Sequence, residues 1–438
     1  MAVLWAVIAV IAVIAWATKS YGADLWDIYE LALTNDPQYQ AAVLDHESKR
    51  INLPLAKSAF KPSVTANSQV GRQISDSSAA SKTSNDHSIN LNLNLPLYDK
   101  TKRATITQSR YQVDVSSLRL RDAKQRLILR VANRYFNLLS AQDAREVARL
   151  EKITIRRQMD LAGKRLEVGL GTRTDLFDAR ARFKLAEANE IQAQNQINND
   201  IALLKQIIAI TPEALSTLND SAPLELPAPN DVDAWINRSI EHNVLLKAER
   251  LNLEIALQEI DKQRVSRSPT VSLDANHRFS DSASTDSSHS GKSNTTSVSL
   301  VMRFPFYLGG AINLTAQQAG LEYNRTERLL EQARRLASVE TTSAFLAVAS
   351  GVSQVEALFD AITAGESALQ AKEQGFSAGL TTNLDVLDAQ RDLSRSRTDY
   401  LRARYNYIIA VLELERSAGQ LDEQDLKRVN SWLEVSAQ

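Results

Sequence analysis

The chain contains no cysteine among its 438 residues, which excludes disulfide bonds, thiolate nucleophiles and cysteine-based zinc sites. Aromatic residues make up only 6% of the sequence, a small share for a compact globular core. An excess of charge of one sign is missing too, because 51 basic residues are balanced by 52 acidic ones. This balance gives no indication of nucleic acid or another polyanion as a partner.

Proline is absent from two long stretches, 99–211 and 306–438. Proline removes a helix hydrogen bond and clashes with the preceding turn, so its absence permits long helices. Within these stretches apolar residues recur every seven positions, which predicts supercoiled helices that pack knobs into holes. Six of the seven members of the first series are apolar, and all of the second. The two series are Leu120, Leu127, Arg134, Ala141, Ala148, Ile155 and Ala162, and then Val386, Leu393, Tyr400, Tyr407 and Leu414.

Signatures of catalysis and of cofactor binding are missing as well. The five histidines are scattered without metal-ligand spacing, and the chain has neither a phosphate-binding loop nor a dinucleotide fingerprint. Gly309-Gly310 superficially resembles a phosphate loop, but it lacks the further glycines and is interpreted as a bend between a strand and a helix. The sequence therefore predicts a protein that is not an enzyme and that has no cofactor and no metal site.

The N-terminus begins with an apolar, uncharged run from Met1 to Ala17, followed by the small residues Ser20, Gly22 and Ala23. We interpret 1–23 as a signal peptide, although no Lys or Arg precedes the apolar run. The alternative is an uncleaved membrane anchor, for which the run is shorter than the roughly 20 residues that a spanning helix needs. No other segment is predicted to be apolar enough to span a membrane as a helix.

The rest of the chain contains an internal repeat. Pro62-Ser63-Val64 returns as Pro269-Thr270-Val271, Pro96-Leu97-Tyr98 as Pro305-Phe306-Tyr307, and Gly169-Leu170 as Gly379-Leu380. An offset near 210 is too long for a solenoid and indicates duplication of a whole half. The predicted organisation is a first repeat at 24–211, a proline-rich connector at 212–231, a second repeat at 232–420 and a C-terminal segment at 421–438. Each repeat is predicted to contain a helix (25–59; 232–267), a strand pair and long helices.

The strand pairs are predicted at 62–75 with 87–98, and at 269–280 with 296–307. In 89–97 aliphatic residues alternate with asparagine and proline, so one face of the strand is apolar and the other polar. Such alternation over about ten residues is typical of transmembrane β-strands. Four strands cannot close a barrel and an open edge is unfavourable in lipid, so several copies must share one barrel, with eight strands from two copies or twelve from three.

Several motifs resemble the outer membrane factor family, the TolC-type channels, over essentially the whole chain after residue 23. They are ANRYFNL at 132–138, Val168-Gly169-Leu170, DVLDA at 385–389, ARYNY at 403–407 and EQDL at 423–426 after Gly419. The resemblance implies an α+β membrane protein whose homotrimer forms a 12-stranded β-barrel continuous with a 12-helix α-barrel. It implies a Gram-negative outer-membrane location, with a periplasmic tunnel and contact with outer-membrane lipid. It also implies a passive exit duct for drugs or proteins in tripartite efflux pumps or type I secretion, reached through a periplasmic adaptor and, indirectly, an inner-membrane transporter.

The same resemblance assigns roles to two tips and to an entrance. The tips that dock the adaptor are predicted at 168–172 and 378–382, with Val168, Gly169, Leu170, Gly379 and Leu380, although the glycines could merely end the incoming helices. Asp385 and Asp388, three residues apart on one helix face, are predicted to form an acidic ring at the periplasmic mouth. The alternative for Asp385 is helix capping in Thr382-x-x-Asp385, as for Asp175 in Thr172-x-x-Asp175.

The entrance latch departs from the family pattern. Phe376 and Thr381 stand where the family has a tyrosine and an arginine, whereas Asp175 is retained, and Arg173 is the candidate for a different latch. We therefore predict a mouth held shut more by helix packing than by a Tyr/Arg latch. The alternative function is that of a trimeric coiled-coil adhesin, which also combines heptads with a shared barrel but usually has a single anchor at one terminus. A plain porin is disfavoured because porins lack hundreds of residues of coiled coil.

Overall fold

The structure is a computed structural model that describes residues 23–77, 80–212, 214–284 and 291–434. Nearly all of the predicted signal peptide lies outside these residues. The chain divides into two compact units. Among the described residues, the first unit contains those within 23–42, 121–244 and 334–434, and the second contains those within 43–120 and 245–333.

Two helices, two strands and two long helices follow one another in each half of the chain. In the first half these are α1 (Leu25–Asn35), α2 (Pro37–Ser58), β1 (Ser63–Ser77), β2 (Ala80–Tyr98), α3 (Lys100–Glu167) and α4 (Arg173–Ile208), followed by the short strand β3 (Thr217–Leu218). In the second half they are α5 (Val232–His242), α6 (Val244–Val265), β4 (Thr270–Ser284), β5 (Gly291–Arg303), α7 (Ala311–Ser377) and α8 (Asn383–Ser417). The chain then ends with α9 (Glu423–Asn430) and β6 (Leu433–Glu434).

The single first helix expected in each half is in fact two helices. In the first half the break falls at Asp36, because Pro37 cannot continue the hydrogen-bond ladder of α1. The Asp36 carboxylate accepts a hydrogen bond from the backbone N–H of Tyr39 at 2.8 Å and pairs with Arg130. In the second half the break falls at Asn243, whose side chain donates to the carbonyl of Ser417 at 3.2 Å. Contacts with distant residues thus stabilise the chain at both helix breaks.

The second unit contains an antiparallel sheet in the order β1-β2-β4-β5, in which the two hairpins pair through β2 and β4. Strand β2 begins at Ala80 rather than at 87, because its polar first part pairs with β1 as regularly as its apolar part does. Strand β5 ends at Arg303, before Pro305 can interrupt the ladder. Beyond its end, the rings of Phe304 and Phe306 lie edge to face at 4.4 Å.

The register places apolar side chains on one face of this sheet and polar side chains on the other. Leu93 pairs with Val64 and with Ala275, and Ala275 pairs with Val298, so that aliphatic residues continue across all four strands. On the opposite face the side chain of Asn92 bonds that of Asn276, and Asn94 bonds Asp274. The apolar face is uncovered in the single chain: Val298, Leu300 and Met302 are each about two-thirds exposed.

The core of the first unit is built from α1, the middle of α3 and the ends of α4 and α8, with further residues from α7 and α9. Tyr29, Tyr135 and Phe136 are its largest fully buried side chains. The Tyr135 hydroxyl donates to the backbone carbonyl of Ser216 at 2.7 Å, and Phe136 stacks on Tyr405. Strand β3 pairs with β6 beside this core.

Helix α7 corrects the expectation that no segment after the N-terminus could span a membrane as a helix. It contains an 18-residue window of mean hydropathy 1.4, which by length and composition alone could do so. Of that window 22% is buried inside the protein. The same helix contributes Phe345, Val348 and Val352 to the core of the first unit, which accounts for apolar residues on one of its faces.

Candidate functional site

Two tight turns join the long helices of the first unit, and they are nearly identical. At the first, the N–H of Gly169 bonds the carbonyl of Leu166 and the N–H of Leu170 bonds that of Arg165. At the second, Gly379 bonds Phe376 and Leu380 bonds Gly375 in the same way. Gly169 and Gly379 have φ of 75° and 74°, in the left-handed region that favours glycine. Both are Schellman turns, so the glycines do end the incoming helices.

The leucine that follows each of these glycines does not pack on its own helix. In a Schellman turn this residue frequently makes an apolar contact with the last helical turn. Here Leu170 is 80% exposed and Leu380 is 82% exposed, and Val168 is 69% exposed. The five predicted tip residues are thus brought to two exposed apolar turns.

The next helix in each hairpin starts with a capping box. Thr172 and Asp175 exchange backbone and side-chain hydrogen bonds at the start of α4, and Thr382 and Asp385 do so at the start of α8. Helix capping therefore accounts for both aspartates. These bonds with Thr382, assisted by Lys372, hold the pKa of Asp385 below its ordinary value of 3.8.

Each turn also places a glycine opposite a larger residue. A Cβ on Gly171 would lie 3.1 Å from Cβ of Arg165, and a Cβ on Gly375 would lie 2.9 Å from Cγ2 of Thr381. The large residue stands before the turn in the first hairpin and after it in the second. Thr381 also donates its hydroxyl to the carbonyl of Lys372 at 3.0 Å. Its role in the structure is thus to close the second turn.

The two candidate entrance carboxylates both have cationic neighbours within the chain. Asp385 lies 3.4 Å from Nζ of Lys372 on α7. Asp388 lies 2.7 Å from Nη2 of Arg182 on α4 and 3.4 Å from Nη1 of Arg391 on α8. The pair with Arg182 joins the α3–α4 hairpin to α8, so Asp388 is also a link between the two hairpins.

The latch candidates are distributed differently from the family pattern. The guanidinium of Arg165 lies 4.3 Å from the ring centroid of Phe376, a cation–π contact between α3 and α7. Asp175 is engaged by Thr172, whereas Arg173 is exposed and forms no ion pair in the part of the chain that the structure describes. Phe376 therefore links the hairpins and Arg173 does not.

Apolar packing also joins the hairpins. Leu387 of α8 is fully buried in a cluster with Ile155 of α3 and with Ala179 and Ala186 of α4, and Met159 and Phe183 pack around it. Sequence reasoning missed Leu387, Lys372 and Arg182. Leu387 lies between two conspicuous acids, and nothing in the sequence indicates which cations will reach those acids across the hairpins.

The fold places the protein in a class. Among solved structures it is similar to CusC, a protein that forms a transmembrane channel, with a TM-score of 0.78 and 18% identity, over 91% of this chain and 93% of CusC. The chain therefore shares the fold of this channel-forming protein.

The chain belongs to the outer membrane efflux protein family, whose model matches residues 28–209 and 235–420. It is 29% identical to the outer membrane protein TolC of Vibrio cholerae over 418 residues, which are 95% of both chains. It is 28% identical to the protease secretion protein PrtF of Dickeya chrysanthemi over 94% of this chain and 91% of PrtF. The matches are to channel proteins rather than to enzymes or adhesins.

The location and general function follow from these matches. The protein is an outer-membrane exit duct of the kind used in efflux and type I secretion, and its long helices form the periplasmic part. The resemblance to TolC-type channels deduced from the motifs is thereby confirmed.

Proposed function

We propose that three copies of this chain close into one conduit that conducts drugs or proteins from the periplasm to the exterior. The observation that carries this proposal is the sheet with two free edges. Strands β1 and β5 each pair with one neighbour only within the described residues, and the sheet has an exposed apolar face. Unpaired backbone groups are costly in lipid, so β5 of one copy must pair with β1 of the next.

Three copies of a four-stranded sheet give twelve strands, and the family resemblance selects three copies over two. Native mass spectrometry in detergent is expected to give the mass of three protomers. Because the chain lacks cysteine, one cysteine on β1 and a series of single cysteines on β5 can report which edges meet. A native mass of two protomers, or the absence of any cross-link between β1 and β5, would show that the proposed closure is wrong.

The two exposed turns are proposed to dock a periplasmic adaptor protein. Support comes from Leu170 and Leu380, whose side chains extend into solvent although their backbone turns would allow packing on the helix. Exposed apolar side chains on rigid turns lose little conformational entropy on binding, which favours their use as anchors.

We expect Leu380→Glu to abolish efflux, because a carboxylate would be desolvated in an apolar contact. The measurement is the minimal inhibitory concentration of drugs for cells that carry the variant, together with the amount of assembled protein in the outer membrane. Leu380→Met, which keeps the apolar surface, is the matched control and should retain efflux. Normal drug resistance with Leu380→Glu would count against a docking role.

The closed mouth is proposed to depend on packing of α8 against the α3–α4 hairpin. Leu387 supports this because it is fully buried there, and the contacts Arg165–Phe376 and Arg182–Asp388 join the same hairpins. Removing a buried leucine side chain costs about 2–5 kcal/mol, whereas a partly exposed ion pair contributes about 1 kcal/mol or less.

Leu387→Ala is therefore expected to raise single-channel conductance in planar bilayers, since it loosens the apolar cluster that joins the hairpins. Leu384→Ala is a control on the same helix, because Leu384 is 43% exposed. Arg173→Gln should leave conductance unchanged. If Arg173→Gln opened the channel as much as Leu387→Ala, an arginine latch rather than packing would hold the mouth.

A further inference from the structure

Phe177 is an exposed residue whose equivalent in the second half of the repeat is buried. Phe177 of α4 corresponds to Leu387 of α8, because both stand eight residues after the glycine of their turn. Leu387 is fully buried against the α3–α4 hairpin, whereas Phe177 is 58% exposed. The first half thus presents a large apolar side chain at the position that the second half buries.

The surface that receives Leu387 also has a counterpart. Leu387 clusters with Ile155, Ala179 and Ala186. The same offset of 210 takes these three residues to Gly365, Ala389 and Ser396, on α7 and α8. All three are half-buried in the single chain and none has a large side chain. Gly365 lacks the side chain that Ile155 contributes to the first surface, and a Cβ on Gly365 would lie 3.3 Å from Cδ1 of Leu393 in the same chain.

We propose that Phe177 of one copy packs against Gly365, Ala389 and Ser396 of a neighbouring copy of this chain. The inference rests on the proposed closed assembly and identifies the contact that joins successive copies near the mouth. One junction, between the two hairpins of one chain, packs Leu387 against a surface that includes Ile155. The other junction, between chains, uses a phenylalanine against a surface of glycine, alanine and serine. The two halves are equivalent, and one presents an exposed apolar side chain where the other buries its own. This equivalence gives a second copy of the chain, rather than another protein, as the occupant.

The charged residues also differ between the junction inside one chain and the proposed junction between copies. Within the chain, Arg182 and Asp388 form an ion pair. In the repeat, Asp392 of the second half corresponds to Arg182, and Asp178 of the first half corresponds to Asp388. The junction between copies therefore brings together two carboxylates, where the junction inside the chain has an ion pair. Asp392 is exposed and lies 3.1 Å from Nη2 of Arg391 on its own helix. Facing carboxylates repel each other, so the junction between copies is weaker than the one inside the chain and separates first.

Cysteine cross-linking tests the contact directly, because the natural chain has no cysteine. Oxidised Phe177→Cys/Ala389→Cys protein is expected to run as covalently linked trimers on non-reducing denaturing gels. The matched pair Leu387→Cys/Ala179→Cys, at the corresponding positions of the internal junction, should run as a monomer with a bond inside the chain. Trimers by native mass without bonds between chains at 177 and 389 would overturn the inference while leaving the proposed function intact. A native mass other than that of three protomers would count against the proposed function itself.

Charge reversal tests the second part of the inference. Asp392→Arg should recreate the internal ion pair at the junction between copies and slow the thermal dissociation of trimers about two- to fivefold. Asp178→Arg/Asp392→Arg would place two cations there and should remove that gain. Equal dissociation rates for the single variant, the double variant and the natural protein would show that the two positions do not face each other.

Discussion

Gly419→Ala is expected to prevent most of the protein from reaching its folded state. Gly419 has φ of 76° and ends α8 in a Schellman turn, with its N–H bonded to the carbonyl of Arg416 at 2.8 Å. A Cβ at this position would lie 2.3 Å from the carbonyl oxygen of His242 and 2.6 Å from the backbone nitrogen of Asn243. Backbone atoms cannot move aside as a flexible side chain can, so the end of α8 must separate from the α5–α6 break.

That separation also breaks polar contacts. The Ser239 hydroxyl donates to the carbonyl of Ser417 at 2.7 Å in a fully buried position. Left-handed strain contributes roughly 1–2 kcal/mol and overpacking about 1–3 kcal/mol, and losing this buried hydrogen bond adds about 1 kcal/mol. A total of about 3–6 kcal/mol is a large share of the stability of an ordinary domain.

Substitutions at two other glycines distinguish the effect of left-handed strain from the effect of the steric clash. Gly379→Ala introduces left-handed strain with no atom within 4 Å of the new Cβ, and Gly320→Ala introduces neither strain nor contact. We expect melting temperatures in detergent to fall slightly for the first and to stay level or rise for the second, because alanine favours helix. Gly419→Ala should lower both the melting temperature and the amount of protein in the outer membrane. A Gly419→Ala protein as stable as Gly379→Ala would show that the end of α8 moves without cost.

Asp385→Ala/Asp388→Ala is expected to weaken block by a trivalent cation applied from the periplasmic side about tenfold or more. In a threefold assembly each aspartate recurs three times around one axis, and such a ring attracts polyvalent cations. Hydrogen bonds from Thr382, with Lys372 nearby, hold the pKa of Asp385 below its ordinary value, so this carboxyl is ionised near neutral pH. The measurement is single-channel conductance against cation concentration.

The neighbouring cations in the structure make this prediction sharper. Lys372 and Arg182 compete with a bound cation for the same carboxylates. Lys372→Gln/Arg182→Gln should therefore make block tighter than in the natural protein, opposite to the effect of removing the aspartates. Asp360→Ala, an exposed position elsewhere on α7, is the control and should leave block unchanged. Equal block in the natural protein and in Asp385→Ala/Asp388→Ala would mean that these residues do not filter ions at the entrance.

Much of the architecture was determined by patterns local in the sequence. Period-two alternation at 89–97 predicted a strand with two different faces, and the register of the sheet puts its leucines and asparagines on opposite sides. The absence of proline with a seven-residue repeat predicted long helices, and α3 extends without interruption from Lys100 to Glu167. Gly169 and Gly379 predicted turns because only a residue without Cβ readily adopts positive φ there. These features depend on neighbours a few residues apart, which a sequence displays directly.

Contacts between distant residues were decided by the tertiary structure alone. Asp388 is conspicuous in the sequence, but only the packing of α8 on α4 brings Arg182, 206 positions away, to its carboxylate. Gly419 is an ordinary helix end until the carbonyl of His242 is placed against it. Leu387 and Phe177 occupy equivalent positions in the repeat, yet one is buried and the other exposed because only one of them has a partner surface within the same chain. A sequence records the residue at each position, whereas burial and pairing depend on which surfaces the fold brings together.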